Sequence, residues 1–218
     1  MNLVLTLIVD IAFELDAENA SRLTQESGLV MVMPYTDADM ARRAAQLLAR
    51  RAACDGLLLA VQDAERAGFI GVANRIFRAS NSALFGYVAQ DAFAGREWGK
   101  RVIAAFREQK HGLLGFNDGK WSGLLAAFGV ARRAWAEQNY AGDLFFAGYT
   151  SHYADVELTL LALEQGAYAY DPNCVMIEVD YEKEGKPVNP TDQKIFTDRK
   201  HTGFDRKVSS ERLLSLFS

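Results

Sequence analysis

The hydrophobic positions in the first third of the chain form blocks that predict a strand, a helix and a second strand. A continuous apolar run over residues 29–34 indicates a buried strand. Residues 36–39 offer an N-cap and first-turn acids, and the apolar positions after them recur at helical spacing. A second apolar run, over residues 57–61, ends in a polar pair at 62–63. This order predicts a right-handed crossover within a parallel sheet.

The rest of the chain continues the alternation of helices and strands. Helices are predicted over residues 72–84, 98–106, 130–138 and 156–165, and strands over residues 87–89 and 175–179. The tract 112–123 is rich in glycine and predicts a loop system, often found near a site. Gly166 is the expected residue beyond the end of the last long helix. From Tyr181 onward the chain is charged and contains proline, and we expect it to cover the surface or the site, with a short helix at 210–217.

The length of 218 residues suits one large domain or a core with an extension. We expect an extension over residues 1–27 with an edge strand and a helix, a core domain over 28–180, and a tail over 181–218 on the same domain. The apolar segment 3–9 is short, has no basic segment before it and is followed by Asp10. It therefore fits a strand or core segment better than a signal peptide or a membrane span.

Composition narrows the classes of partner. Half of the residues are hydrophobic, enough for a substantial core, and the net charge is −4. This charge argues against a protein held to nucleic acid by bulk electrostatics, although a local basic groove stays possible. Cys54 and Cys174 lie in no CxxC or Cys/His cluster, which disfavours a zinc site. We expect both to be reduced, buried thiols of a cytoplasmic protein.

Two pairs of acids stand at positions where chemistry is common. Asp155 and Glu157 lie at the head of an apolar helix, where the helix dipole favours an ionised carboxylate that accepts a proton or binds a cation. The simpler alternative is an N-cap with a solvated neighbour. Asp63 and Asp91 each follow a predicted parallel strand. Ligands of open α/β sheets bind outside the carboxyl ends of the strands, so these two acids can face one crevice.

Taken in order, these elements resemble the nucleotide-sugar half of the GT-A glycosyltransferases, and most closely the inverting family 2-like group. The similarity extends over residues 29–180 and depends on order and spacing. Trp98 follows the strand-end acid at the family's spacing, and residues 154–158 are similar to the Glu-Asp-x-Asp/Glu-Leu segment that carries the family's catalytic base. Asp171 and Pro172 then precede a strand, as in the family. Residues 115–119 and 184–186 further resemble a compact subgroup common in phages and bacteria.

The resemblance implies an α/β, GT-A-like (Rossmann-like) fold with a mostly parallel central sheet flanked by helices. It also implies transfer of a sugar, with inversion, from a nucleotide-diphospho-sugar of the UDP or GDP type. Asp155 would be the general base that deprotonates the acceptor hydroxyl, a role that typically contributes about 10²–10⁴-fold. Asp91 would bind Mg²⁺ or Mn²⁺ on the diphosphate. The implied nucleotide-sugar contacts are Pro34, Tyr35, Asp63, Asn74, Arg75, Gln90 and Asp91.

The chain departs from the family's pattern of acids. Residues 89–91 are Ala-Gln-Asp where the family often has two or three acids, and Ala154 replaces the usual Glu before the base. The family often places a His on the late strand as a further metal contact, and here Glu178 stands there, with Asp180 two residues on. A carboxylate is also a competent ligand. We therefore predict Asp91 and Glu178 as the metal ligands.

The acceptor side is less defined. The candidate acceptor contacts are Asn117, Asp118, Trp121, His152 and Glu157, each with a structural alternative as a turn former, packed side chain or ion-pair partner. Trp121 is the best candidate for stacking on a sugar or base. The acceptor could be a glycan, a small molecule or a hydroxymethylated DNA base.

Two other functions compete with the transferase. One is a nucleotide-binding module that has lost catalysis, which Gln90 and Ala154 favour. The other is a nucleotidyltransferase, which would need a basic, glycine-rich loop after the first strand. Residues 35–39 are acidic instead, and this disfavours it.

Overall fold

A mixed seven-stranded sheet organises the structure, a computed structural model that describes residues 21, 23–25, 28–179 and 188–217. The strands are β1 (Leu29–Tyr35), β2 (Leu57–Gln62), β3 (Leu84–Tyr87), β4 (Ala92–Ala94), β5 (Leu113–Asn117), β6 (Gly129–Arg132) and β7 (Tyr168–Glu178). Their order across the sheet is β2-β1-β3-β6-β5-β7-β4. β1, β2, β3, β5 and β7 run in one direction, and β6 and β4 run in the other. The predicted mostly parallel sheet is confirmed, and it is compatible with a Rossmann-like fold.

Helices cover both faces of this sheet. They are α1 (Ala38–Arg51), α2 (Gly68–Ala79), α3 (Trp98–Ala105), α4 (Arg133–Ala136), α5 (Ala154–Glu164), α6 (Pro190–His201), α7 (Gly203–Arg206) and α8 (Glu211–Leu214). Buried residues of α1 and α3 form one hydrophobic cluster with one face of the sheet, and those of α2 and α5 form a second cluster on the other face. No helix in the described ranges is long and apolar enough to cross a membrane.

Helix α5 is apolar on nearly every side and lies in the core. Its residues from Val156 to Ala162 are all buried, as expected for a helix enclosed by other elements. It ends in a Schellman motif: Ala167 N–H donates to the Ala162 carbonyl, and Gly166 N–H donates to the Leu163 carbonyl. Gly166 has φ +62°, so the predicted role of this glycine at the helix end is confirmed.

Several predicted boundaries are wrong in the middle of the chain. The helix predicted over 72–84 is α2 and ends at Ala79, and the strand predicted over 87–89 is β3 and begins at Leu84. The glycine-rich tract contains β5, and the helix predicted over 130–138 begins as β6. Gly115 explains why β5 was taken for a loop. A Cβ at this position would collide with the Tyr168 hydroxyl on the neighbouring strand β7. The glycine leaves room for a side chain and does not mark a loop.

The tail contains more regular structure than the sequence pattern predicts. Helix α6 was not predicted, although its N-cap is typical: the Asn189 side chain accepts from the N–H groups of Thr191 and Asp192, and Pro190 occupies the first position. Phe196 of α6 is buried in the same cluster as α5. The helix predicted at 210–217 is present as α8. Residues 1–20, which hold most of the predicted extension, and residues 180–187 lie outside the described residues.

A buried ion pair joins α5 to α6. Arg199 donates from Nε and Nη2 to the two carboxylate oxygens of Glu157, at 2.8 and 2.7 Å. Tyr149 donates its hydroxyl to the same carboxylate at 2.9 Å, and the guanidinium lies 3.5 Å from the centre of the Phe146 ring. The Glu157 side chain is fully buried, so its charge depends on these partners.

Replacing Glu157 by Ala should lower the free energy of unfolding by about 3–5 kcal/mol, because the largely buried Arg199 would lose its buried partner and keep only the exposed carboxylate of Asp205. Chemical denaturation measures the change. Lys194→Ala is the control, because it breaks the exposed Lys194–Asp198 pair on the same helix. That variant should change stability by no more than about 0.5 kcal/mol. A Glu157→Ala variant as stable as the control would show that the pair does not hold α5 to the tail.

Candidate functional site

The loops that follow the parallel strands meet at one edge of the sheet. Asp63 N–H donates to the Tyr35 carbonyl at 2.8 Å, which joins the end of β2 to the end of β1. The Gln90 side-chain oxygen accepts from the N–H groups of Thr36 and Asp37 at 2.8 and 2.9 Å. The loop after β3 is thereby fastened to the loop after β1. These contacts build the rim at which a ligand of an α/β sheet would bind.

Asp155 lies in the first turn of α5 and has a perturbed acidity. Its pKa is raised to about 6, chiefly because burial disfavours the charged carboxylate. The N–H groups of Val156 and of Asp155 itself oppose this shift, whereas the charges of Glu178 and Asp118 add to it. The structure therefore brings together three acids from separate elements: Asp155 from α5, Asp118 from the loop after β5, and Glu178 from the end of β7.

The two predicted metal ligands occur on paired strands. Ala92 of β4 is the register partner of Glu178 of β7, and Val179 N–H donates to the Asp91 carbonyl at 3.1 Å. The backbones of Asp91 and Glu178 are thus neighbours at the rim. Within the described ranges, no group of three His, Cys, Asp or Glu side chains could hold a metal ion. Mg²⁺ is commonly held by one or two carboxylates together with substrate phosphates.

Several predicted nucleotide contacts have their polar atoms engaged within the protein. The Asp63 carboxylate accepts from Ala67 N–H and Gly68 N–H at 2.7 and 2.9 Å and so caps the start of α2. Asn74 is buried, and its side chain donates to the Phe145 carbonyl and accepts from the Phe145 N–H, both at 2.9 Å. Both side chains are therefore used to hold the fold together.

The remaining predicted nucleotide contacts differ in burial. Pro34 and Tyr35 are buried at the end of β1, directly before the rim. Asp91 is also buried, with 7% of its surface exposed. Arg75 is half-buried on α2. Tyr35 ends β1, whereas Asp91 lies in the loop between β3 and β4, directly before β4.

The acceptor candidates divide into two groups. Asn117 donates to the Pro172 carbonyl and accepts from Gly119 N–H, and Asp118 accepts from the N–H groups of Lys120 and Trp121. These turns hold the half-buried Trp121 next to Asp118, and its ring meets Phe217 edge-on at 5.9 Å. His152 and Glu157 form the second group. The His152 side chain is exposed, and the backbone N–H of this residue donates to the Asp192 carboxylate. Glu157 is engaged by Arg199 in the core, so this acid serves as an ion-pair partner.

Three residues near Asp155 were not singled out from the sequence. Tyr87 donates its hydroxyl to the Ala126 carbonyl, and its pKa is raised, mainly by burial and also by the charge of Asp155. Thr159 donates to the Asp155 carbonyl and accepts from Ala126 N–H. Asp192 is fully buried and accepts from three successive N–H groups before α5. Only Asp192 had a local signal, the Asn-Pro-x-Asp order of a helix start.

Sequence comparison assigns no family to the chain. No protein-family model matches the sequence, and no curated protein matches it. The α/β architecture hosts many unrelated chemistries, so it does not by itself indicate a function.

The raised pKa of Asp155 makes a prediction about stability. A carboxyl group whose pKa is about 6 in the folded protein and about 3.8 unfolded binds its proton more tightly when folded. Its effect on stability is most favourable below pH 4, and it is lost as the pH rises to about 6. The free energy of unfolding of Asp155→Asn minus that of the wild type should therefore rise by about 1–3 kcal/mol as the pH increases from 4 to 7. Partial exposure of the side chain favours the lower end of this range. Urea denaturation at several pH values measures this difference. A difference that does not change with pH would contradict the burial of this carboxyl group.

Proposed function

We propose that the protein is a divalent-metal-assisted, inverting glycosyltransferase that moves a sugar from a nucleotide-diphospho-sugar to an acceptor hydroxyl. The observation that carries the proposal is the acidity of Asp155, a half-buried carboxyl group with a pKa of about 6 beside Glu178 and Asp118. A general base is most effective when its pKa is close to the working pH. Buried acids with such shifts are concentrated at functional sites.

The position of Asp155 supports its role as the base. The N-terminal turn of α5 directs it towards the rim formed by the carboxyl ends of the strands, the usual ligand side of this architecture. An acceptor hydroxyl is a poor nucleophile until a positioned carboxylate takes its proton in the transition state. Above about pH 6 the group is ionised and can accept that proton. Displacement of the diphosphate from the opposite side would then invert the anomeric centre.

Asp91 and Glu178 are the proposed holders of the metal ion. A divalent cation supplies charge neutralisation for the leaving diphosphate. The two carboxylates come from residues that are neighbours across β4 and β7, and phosphate oxygens and water would complete the coordination. The nucleoside would lie towards Pro34 and Tyr35. The resemblance of the sequence to the GT-A glycosyltransferases in its order of strands and acids further supports this placement. The half-buried Trp121 would offer a surface on which a sugar ring stacks.

A nucleotide-binding module without catalysis is the second candidate. Gln90 accepts from two backbone N–H groups, so its side chain fastens a loop in place of the acid that the resemblance leads one to expect. The Asp63 carboxylate is likewise used as a helix cap. Calorimetry with UDP and GDP, with and without Mn²⁺, separates the two functions. Metal-dependent binding with slow donor hydrolysis favours the transferase, and metal-independent binding without hydrolysis favours the module.

Asp155→Asn should reduce sugar transfer by about 10²–10⁴-fold, because the amide cannot take the acceptor proton. Nucleotide affinity should persist, since Asp155 is proposed to contact the acceptor and not the nucleotide. Transfer rates and calorimetric affinities measure the two effects. Asp198→Asn, on the exposed face of α6, is the matched control and should retain the wild-type rate. Wild-type transfer by Asp155→Asn would exclude this residue as the base.

Glu178→Ala should weaken Mn²⁺ binding by about tenfold or more, because one of the two proposed carboxylate ligands is removed. Titration of Mn²⁺ by calorimetry in the presence of the nucleoside diphosphate measures the affinity. Glu108→Ala removes an exposed acid after α3 and should leave the affinity unchanged. Equal Mn²⁺ affinity in Glu178→Ala and wild type would show that Glu178 is not a ligand.

A further inference from the structure

Helix α6 fixes the segment that leads into α5. Asp192, in its first turn, has a fully buried side chain. Its carboxylate accepts from Thr150 N–H through one oxygen and from the N–H groups of Ser151 and His152 through the other, each at 2.9 Å. Hydrogen bonds to a charged acceptor are roughly twice as strong as neutral ones. The tail therefore holds three successive residues of the chain just before Asp155.

The same face of α6 also contacts the entry and the first turn of α5. Phe196, four residues after Asp192, stacks on Tyr153 with ring centres 4.6 Å apart and planes 13° apart. Arg199, three residues further, binds Glu157 in the first turn of α5. Positions i, i+4 and i+7 lie on one face of a helix. A single face of α6 thus meets the chain on both sides of Asp155.

Tyr153 needs this support. Its φ is +69°, in the left-handed region, which for a residue other than glycine costs on the order of 1 kcal/mol or more. Backbone strain of this kind persists only where the surroundings over-determine it. The Asp192 hydrogen bonds precede Tyr153, and the Phe196 stack covers its ring. Together they maintain the turn that aims the first residues of α5.

The segment is also fixed by helix α2. Ile70 N–H donates to the Thr150 carbonyl at 3.1 Å, so the segment is also attached to the start of α2, which Asp63 caps. Asp155 itself faces Glu178 from β7, Asp118 from the loop after β5 and Tyr87 from β3. The segment before α5 is therefore held between the strand-end loops and the tail, and α6 supplies one of its two supports.

We propose that Asp192 is a positioning residue for Asp155: by holding Thr150, Ser151 and His152 through their N–H groups, it sets the direction in which the Asp155 carboxyl group enters the site. The role of Asp155 as a base rests on the proposed function. The placement of its carboxyl group by Asp192 does not, and it is measurable without a substrate. Asp192 acts through the backbone and touches no reacting atom.

Asp192→Ala tests the proposal through two readouts. The first is the chemical shift of the Asp155 carboxyl ¹³C resonance at fixed pH, which should change when the segment moves. The resonance is assigned by its absence from the spectrum of Asp155→Asn. The second is steady-state kinetics, in which kcat should fall by about 10–100-fold while the donor KM stays within about twofold, since a displacement of about 1 Å costs on that order. Asp198→Ala, on the exposed face of the same helix, is the control and should change neither readout.

Two milder variants keep the test decisive if Asp192→Ala does not fold. Asp192→Asn retains one oxygen for the Ser151 and His152 N–H groups, and Phe196→Leu removes the stack on Tyr153 alone. Both should give smaller changes of the same kind. Folded variants with an unmoved Asp155 resonance and wild-type kcat would overturn the proposal. If wild-type protein transfers no sugar, the proposed function fails, and the resonance alone still decides whether Asp192 positions Asp155.

Discussion

The buried pair between Glu157 and Arg199 determines how the first turn of α5 is used. Residues two apart on a helix point about 200° apart, so Asp155 and Glu157 cannot share one site. Glu157 faces the core, where the guanidinium and the Tyr149 hydroxyl compensate its charge. Asp155 consequently faces the rim of the sheet. Glu157 thus holds α5 to the tail through Arg199. This contact leaves the Asp155 carboxyl group outside the ion pair and available at the rim.

The electrostatics of the rim follow from its construction. Three acids meet at this edge: Asp118 in the loop after β5, Asp155 at the start of α5 and Glu178 at the end of β7. The charges of Asp118 and Glu178 help to raise the pKa of Asp155. Such an arrangement suits a proton acceptor, and it would also attract a cation. A bound cation would in turn lower the field that the acids exert on one another. Under the proposed function, the acidity of Asp155 would therefore depend on whether the metal ion is bound.

The sequence predicted the elements whose apolar pattern is unambiguous. β1 and β2 are continuous apolar runs, and α1 has a clear N-cap, so their bounds agree closely with the structure. β5 was missed because Gly115 resembles a loop residue, and the residues of β6 were assigned to a predicted helix. Gly115 and Gly129 instead make room for tyrosine side chains on neighbouring strands. Asp155 could be singled out from its place at a helix start. The link from Asp192 to residues 150–152 could not, because some 40 residues separate them and only the tertiary fold brings them together.

We propose that the acids at this rim activate an acceptor hydroxyl towards a metal-bound nucleotide-diphospho-sugar. A screen of UDP- and GDP-sugars with Mg²⁺ or Mn²⁺, in which proton NMR follows the released sugar, tests it most directly. We expect slow, metal-dependent hydrolysis of one donor, with water as the acceptor and with inverted configuration at the anomeric carbon of the released sugar. Release of the sugar with retained configuration, or no hydrolysis of any donor, would contradict it.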